Sequence, residues 1–259
     1  LATLVGISKM KHDGDYSAIM REFLAWLNGG KYTIDGVFDI GGTCSDAILN
    51  FSQGISPLKC GARGERNNGN GSLMRIMPAV LYSLFKHQCV DTDIVKNIGA
   101  LTHAHRTSID ACMLYGELVR YMTVAKEPTL QGDLDENKQE VFELYRHLLR
   151  HYGDNAAKMF YRLGQREFYD LPESEIESSG YVVDTLEAAL WCFANTNNYK
   201  DCVLKAVNLG GDTDTVAAVA GGLAGLFYGI DNIPKEWIEM LRGKDIIDSA
   251  IDGFVKILT

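Results

Sequence analysis

Val207–Gly229 reads V-N-L-G-G-D-T-D-T-V-A-A-V-A-G-G-L-A-G-L-F-Y-G, a pattern that fits two helices joined by a tight turn. Gly210-Gly211 stops the first helix. Asp212-Thr213-Asp214-Thr215 opens the second, whose body is mostly small residues: Ala217, Ala218, Ala220, Gly221, Gly222, Ala224 and Gly225. Glycine costs a helix interior about 1 kcal/mol relative to alanine, so glycines clustered in this way signal close packing that only small side chains permit. The helix is expected to be central and buried, with Asp212, Asp214 and Thr215 carried inward on its first turn.

The same periodicity extends outward along the chain. Tyr16, Ile19, Met20, Phe23, Leu24 and Leu27 recur at steps of three and four until Gly29-Gly30 ends the run. Met113, Leu114, Leu118, Tyr121 and Met122 form a second stripe behind candidate caps Thr107 and Ser108, and Val141, Leu144, Tyr145, Leu148 and Leu149 a third. Thr185 is placed to cap Leu186–Ala194, and Tyr199–Leu209 follows after a short polar turn. No series of alternating strands and no repeat is apparent, and there are 5 prolines in 259 residues. The expected fold is all-α, a single compact multi-helix domain over residues 1–259 with about ten helices. The polar segment from Lys126 to Gln139 is expected to be a surface loop within it.

Composition excludes several function classes. Hydrophobic residues make up 46% and charged residues 23%, which is ordinary for a globular chain. The net charge of -9 argues against nucleic-acid binding through a basic face. No apolar run approaches the roughly 20 residues a bilayer span requires, and no signal peptide opens the chain, so a soluble cytoplasmic protein without membrane partners is expected. Cys44, Cys60, Cys89, Cys112, Cys192 and Cys202 lack zinc or redox spacing, which fits free thiols in a reducing compartment.

Chemistry concentrates in a few segments. Asp212 or Asp214 could simply cap a helix. Two carboxylates and a hydroxyl beside tight glycines also make a hard-oxygen set for Mg²⁺, Mn²⁺ or Ca²⁺. Asp91-Thr92-Asp93 repeats the tripeptide without the glycines, and plain capping is expected there. Asn67–Pro78 (N-N-G-N-G-S-L-M-R-I-M-P) alternates glycine with short polar residues, so its backbone N–H groups can approach a ligand, and a helix opening near Ser72 would offer an anion site. A tight capping turn is the competing reading, and Arg75 would pair with either a ligand phosphate or a buried carboxylate. His103 and His105 lie two apart and do not share a helix face, which disfavours a common zinc site. Tyr181, in S-S-G-Y-V-V-D-T, either stacks on a base or fills the core. Phe38–Thr43 looks like the start of an actin-type phosphate loop, but its flanks are helical.

Taken in order, these segments resemble the ADP-ribosylglycohydrolase family. The matching pieces are Trp26–Gly41, Gly69–Pro78, Thr102-His103, Gly180–Leu186 and Val207–Gly229, followed by Ile233-Pro234 and Trp237. The resemblance implies a metal-dependent hydrolase that cleaves the glycosidic bond between ADP-ribose and an acceptor, either a modified protein side chain or a small molecule. It implies two Mg²⁺ or Mn²⁺ ions per intact site. Carried over by position, Asp212, Asp214 and Thr215 match metal ligands, with Asp212 and Asp214 also catalytic. Gly69, Asn70, Gly71, Ser72, His103, Gly180 and Tyr181 match substrate-contacting positions.

One departure accompanies the match. Members of the family carry a Gly-Asp-rich opening and a Thr/Ser-Asp-Asp triplet upstream of the position of Leu1, and residues 1–30 hold no equivalent; Asp13 and Asp15 fall in a polar turn. The expectation is an N-terminally truncated chain of an active enzyme, itself binding metal poorly and turning over little. The alternative is a catalytically inactive ADP-ribose-binding or structural member of the same fold.

Overall fold

The computed structural model describes residues 1–125 and 134–259. Among the described residues regular structure is helical, with fourteen α-helices, five 3-10 turns and one isolated parallel bridge, between Ala62 and His103. Two compact units share the chain, Leu1–Cys112 with Glu239–Thr259, and Met113–Ile238.

The first unit holds α1 (Ala2–Ser8), α2 (Tyr16–Gly29), α3 (Gly42–Ser52), α4 (Pro57–Cys60), α5 (Met77–His87) and α6 (Thr92–Ala100). The division at Cys112 falls inside α7 (Arg106–Ala125). The second unit continues through α8 (Leu134–His151), α9 (Asp154–Met159), α10 (Val182–Ala194), α11 (Tyr199–Asn208) and α12 (Thr213–Tyr228). The return to the first unit falls inside α13 (Lys235–Met240), and α14 (Lys244–Leu258) completes it.

In the first unit α1 packs on α2, α5 and α14, while α2 also meets α3 and α4. Ile7, Ile19, Met20, Ile48, Val80 and Phe254 are buried there. Gly30, at φ +62, ends α2 in the left-handed conformation that the Gly29-Gly30 pair signals. Buried Glu22 on α2 receives Lys9 and Lys31, each 2.6 Å away, and the Tyr32 hydroxyl. Burial alone would raise its pKa, but these three donors outweigh that and hold the carboxyl at about 2.

In the second unit α12 lies on α10 and α11. From Val182 to Phe193, α10 is buried at every position but Asp184, including Thr185 and Glu187, whose carboxylate meets Arg162 at 3.0 Å. A Cβ on Gly221 would sit 3.3 Å from Val203 Cγ2, and one on Gly225 3.6 Å from the Tyr199 ring. Small residues therefore do bring α12 against α11. The burial is one-sided, however: Val216, Val219, Ala220, Leu223 and Ala224 are buried, while Ala218 is exposed.

Several expected boundaries move. Among the described residues the helices exceed the expected ten because α4, α9 and α13, at 4 to 6 residues each, are too short to show a period. α10 opens at Val182 rather than behind Thr185, whose hydroxyl donates to Ser179 O instead of capping. α7 opens at Arg106, ahead of Thr107 and Ser108, and His105 Nδ1 accepts the Thr107 N–H. Leu134–Gln139 belong to α8 and not to a loop, while the rest of the expected loop, 126–133, lies outside the described residues. All six cysteines are free, and no helix among the described residues is long and apolar enough to cross a membrane.

Candidate functional site

The acidic turn belongs to the second unit. Asp212 occupies the N-cap of α12, but its side chain makes no capping hydrogen bond. Asp91, in the twin tripeptide, caps α6 by accepting from Asp93 N (2.9 Å) and Ile94 N (3.1 Å). Identical local sequence thus yields a cap at one place and a carboxylate not engaged in capping at the other. The difference lies in the preceding turn. Gly211 adopts φ +62, and a Cβ there would lie 2.4 Å from Ser178 O. Asp212 N donates to that same Ser178 O (2.8 Å), and Ser178 Oγ donates to Gly210 O (2.9 Å). The 178–181 segment is thereby laced to the turn, and Asp212 Oδ2 is 3.4 Å from where a Gly180 Cβ would be.

Of the three residues expected to face inward, only Thr215 is buried; Asp212 is half-buried and Asp214 is exposed. Helical positions advance about 100° per residue, so neighbouring side chains of the first turn differ in burial. Asp214 sits one turn before exposed Ala218, on the open face. Its Oδ1 accepts the Thr215 N–H at 2.8 Å. Tyr181, the N-cap of α10, is half-buried and does not fill the core; its N–H donates to Ser179 Oγ. Two carboxylates and a hydroxyl are hard donors of the kind Mg²⁺ and Mn²⁺ take. Among the described residues, no cluster of three or more His, Cys, Asp or Glu side chains is placed to hold an ion.

The glycine-rich loop belongs to the first unit. Asn68 and Asn70 are buried on either side of half-buried Gly69, and Asn68 Oδ1 accepts from Ser108 Oγ (2.9 Å). Ser72 is fully buried, and no α-helix opens beside it. A single 3-10 turn, Leu73–Arg75, intervenes, and α5 starts at Met77 with Pro78 in its first turn. Proline's fixed φ and missing N–H favour the helix opening at that point.

A Cβ on Gly71 would come 2.8 Å from Cys44 Sγ and 3.0 Å from His103 Cε1, so the imidazole packs directly on this glycine. Among the described residues Arg75 pairs with no carboxylate. It donates to Ile98 O (3.2 Å) and Thr102 Oγ1 (2.6 Å) and lies over the Phe23 ring. Thr102 Oγ1 is in turn 2.8 Å from His103 Nδ1. That network is satisfied when Thr102 donates to Nδ1, which leaves the proton on Nε2. Burial first, and the Arg75 charge second, push His103 down to about 3. His105 points elsewhere, 3.3 Å from Glu65 Oε1, so the two histidines do not converge.

His103 should therefore stay neutral from pH 8 to about 4, and its ring NMR shifts should be flat over that range. Since the unfolded chain protonates it near 6.5, stability from this group is complete above that value and declines as pH falls toward 3. A ring titrating between pH 6 and 7 in the folded protein would contradict this.

Beside Gly71 and Arg75 lies a cavity of about 300 Å³, lined also by Phe23, Trp26, Tyr32 and Cys44. Thr3, buried and with no hydrogen-bond partner for its hydroxyl, lines it too. Phe23, Tyr32, Cys44 and Thr3 were not singled out as site residues from sequence. They come from separate segments, and only folding brings them together.

The profile of the ADP-ribosylglycohydrolase family matches residues 1–258. The chain is 32% identical over 229 residues to the ADP-ribosylarginine hydrolase Tri1 of Pseudomonas putida (strain GB-1), an alignment covering 87% of this chain and 56% of that protein. It is 28% identical over 230 residues to the ADP-ribosyl-dinitrogen reductase glycohydrolase of Rhodospirillum rubrum, covering 89% and 67%. The chain thus spans little more than half the length of the first of these relatives. In three dimensions it resembles an ADP-ribosylglycohydrolase-related protein complex with a TM-score of 0.76 at 24% identity, covering 100% of this chain and 80% of that one. With the family profile matched almost end to end and the helical fold in agreement, the chain belongs to the ADP-ribosylglycohydrolase family.

Proposed function

We propose that the protein hydrolyses the glycosidic bond between ADP-ribose and an acceptor, with an arginine side chain as the first acceptor to test. The observation that carries this reading is the Asp212 carboxylate, held at a helix start without capping it, while its twin Asp91 caps. Family membership and the names of the relatives support the same chemistry.

Water must add to the anomeric carbon as the bond to the acceptor nitrogen breaks, so one proton leaves the water and one reaches the leaving group. One carboxylate of the Asp212 and Asp214 pair would take that proton from water and pass it to the departing nitrogen, so the proton count closes. Gly180, beside Asp212, keeps the approach to that carboxylate free of side chain, and Tyr181 at the next helix start lines it. Asp212, Asp214 and Thr215 would hold Mg²⁺ or Mn²⁺, which supplies Lewis-acid polarisation and a more acidic water when bound. Taken by itself, the Gly69–Ser72 loop of the first unit would offer main-chain N–H groups to an anion. His103, neutral and protonated at Nε2, is a donor that adds no positive charge.

Titration calorimetry of ADP-ribose with Mg²⁺ or Mn²⁺ tests the reading. Binding should require metal and vanish in Asp212→Ala/Asp214→Ala. No binding with either metal present would overturn it. Binding without release of ADP-ribose from ADP-ribosylarginine would instead identify an inactive ADP-ribose-binding member of the family.

A further inference from the structure

The second unit contains a cavity of about 440 Å³ lined by none of the residues assigned a role above. Its walls carry three cations, Lys138, Arg146 and Arg166, against two carboxylates, Glu143 and Asp170, in a chain whose net charge is -9. Phe142 and Tyr169 add an aromatic side, with ring centroids 4.9 Å apart.

How these charges are held indicates what the cavity can take. The Arg146 side chain is 8% exposed, and its guanidinium lies 5.5 Å from the Tyr169 ring centroid. Arg146 Nη2 meets Glu143 Oε1 at 2.5 Å, and Arg166 Nη2 reaches that same oxygen at 3.1 Å. One carboxylate oxygen therefore serves two guanidiniums, each a planar fork of five N–H donors. Glu143 offsets one of the two charges; of the two guanidiniums, Arg146 is buried and Arg166 is 78% exposed. Buried Lys138 adds to the positive potential; its Nζ is held by Thr196 O and the Tyr228 hydroxyl over the Phe193 ring.

We propose that this cavity binds a small aromatic oxyanion, a phosphate or carboxylate carried on a planar ring. The anionic group docks on the Arg146–Arg166 pair, and the ring lies along Phe142 and Tyr169. Forked guanidiniums match the paired oxygens of both groups, and aromatic walls suit a planar ligand. The volume falls within the usual range for small-molecule pockets. The proposal is independent of the hydrolytic reading.

Calorimetry on the 259-residue chain, with phenyl phosphate, phthalate and uncharged phenol as probes, tests it. At least one of the two anions should saturate while phenol does not, and the anion preferred identifies the ligand class. Arg166→Ala, at a side chain 78% exposed, should weaken binding about tenfold, the cost of a charged hydrogen bond, with the melting temperature unchanged. Glu143→Gln should tighten binding, because the ligand no longer competes with a carboxylate for the two arginines. A cluster with only a structural role would not give that second result. Absence of binding by both anions up to about 10 mM, or affinities unmoved in both variants, overturns the proposal.

Discussion

On the proposed hydrolysis, converting Asp212 and Asp214 together to asparagine is expected to lower release of ADP-ribose from an arginine-linked substrate by about 10³-fold or more. The variant should remain folded, with a melting temperature close to that of the parent. The Asp212 carboxylate makes no capping bond, Asp214 is exposed, and both side chains keep their size. Asp91→Ala should behave in the opposite way. It removes two capping bonds, costs about 1 kcal/mol of stability and leaves turnover intact. The pair of variants separates the two uses of one tripeptide. Turnover near that of the parent in the double variant would sink the assignment of these carboxylates.

Gly211→Ala is expected to be among the most damaging single-methyl additions in the chain. The residue is at φ +62, and the added Cβ would lie 2.4 Å from Ser178 O and 2.8 Å from Ser178 Oγ. Backbone strain at positive φ costs about 1 kcal/mol, and displacing the serine breaks the lacing that Asp212 N and Ser178 Oγ provide. A total of about 3 kcal/mol follows, which for a chain of this size lowers the melting temperature by about 6–12 °C. Gly210→Ala is the control. Its φ of +79 carries the same strain, but no atom lies within 4 Å of the added methyl, so about 1 kcal/mol is expected. Equal losses in the two variants, read from thermal unfolding, would show that strain and not the contact with Ser178 sets the cost.

Helices were legible in the sequence wherever an apolar stripe ran long enough to show its period, as in α2, α7, α8 and α11. They were hidden where the element was one turn long. The small-residue character of α12 correctly announced close packing on α11. It did not announce that one face stays open, because composition carries no direction, and so the exposed Asp214 was misjudged. Asp91 was legible as a cap because capping is local. Tyr181 stands at a helix entrance, as its place in the sequence suggests, but as an N-cap without a side-chain capping bond, since an aromatic is a poor capping residue. Arg75 shows the limit most clearly. A lone arginine suggests an anion as its partner, yet its guanidinium donates to the carbonyls of Ile98 and Gly99 and to the hydroxyl of Thr102, all more than twenty positions away.

The bridge between Ala62 and His103 has a consequence for how the family can vary. It is built from main-chain atoms alone: Ala62 N donates to Thr102 O, and Ala104 N donates to Ala62 O. Main-chain bonds are indifferent to the side chains beside them. Exposed neighbours such as Arg63 and Arg66 can therefore drift in size and charge over generations while the backbone at His103 keeps its place. Substitution at Arg63 or Arg66 is thus compatible with an undisplaced main chain at His103.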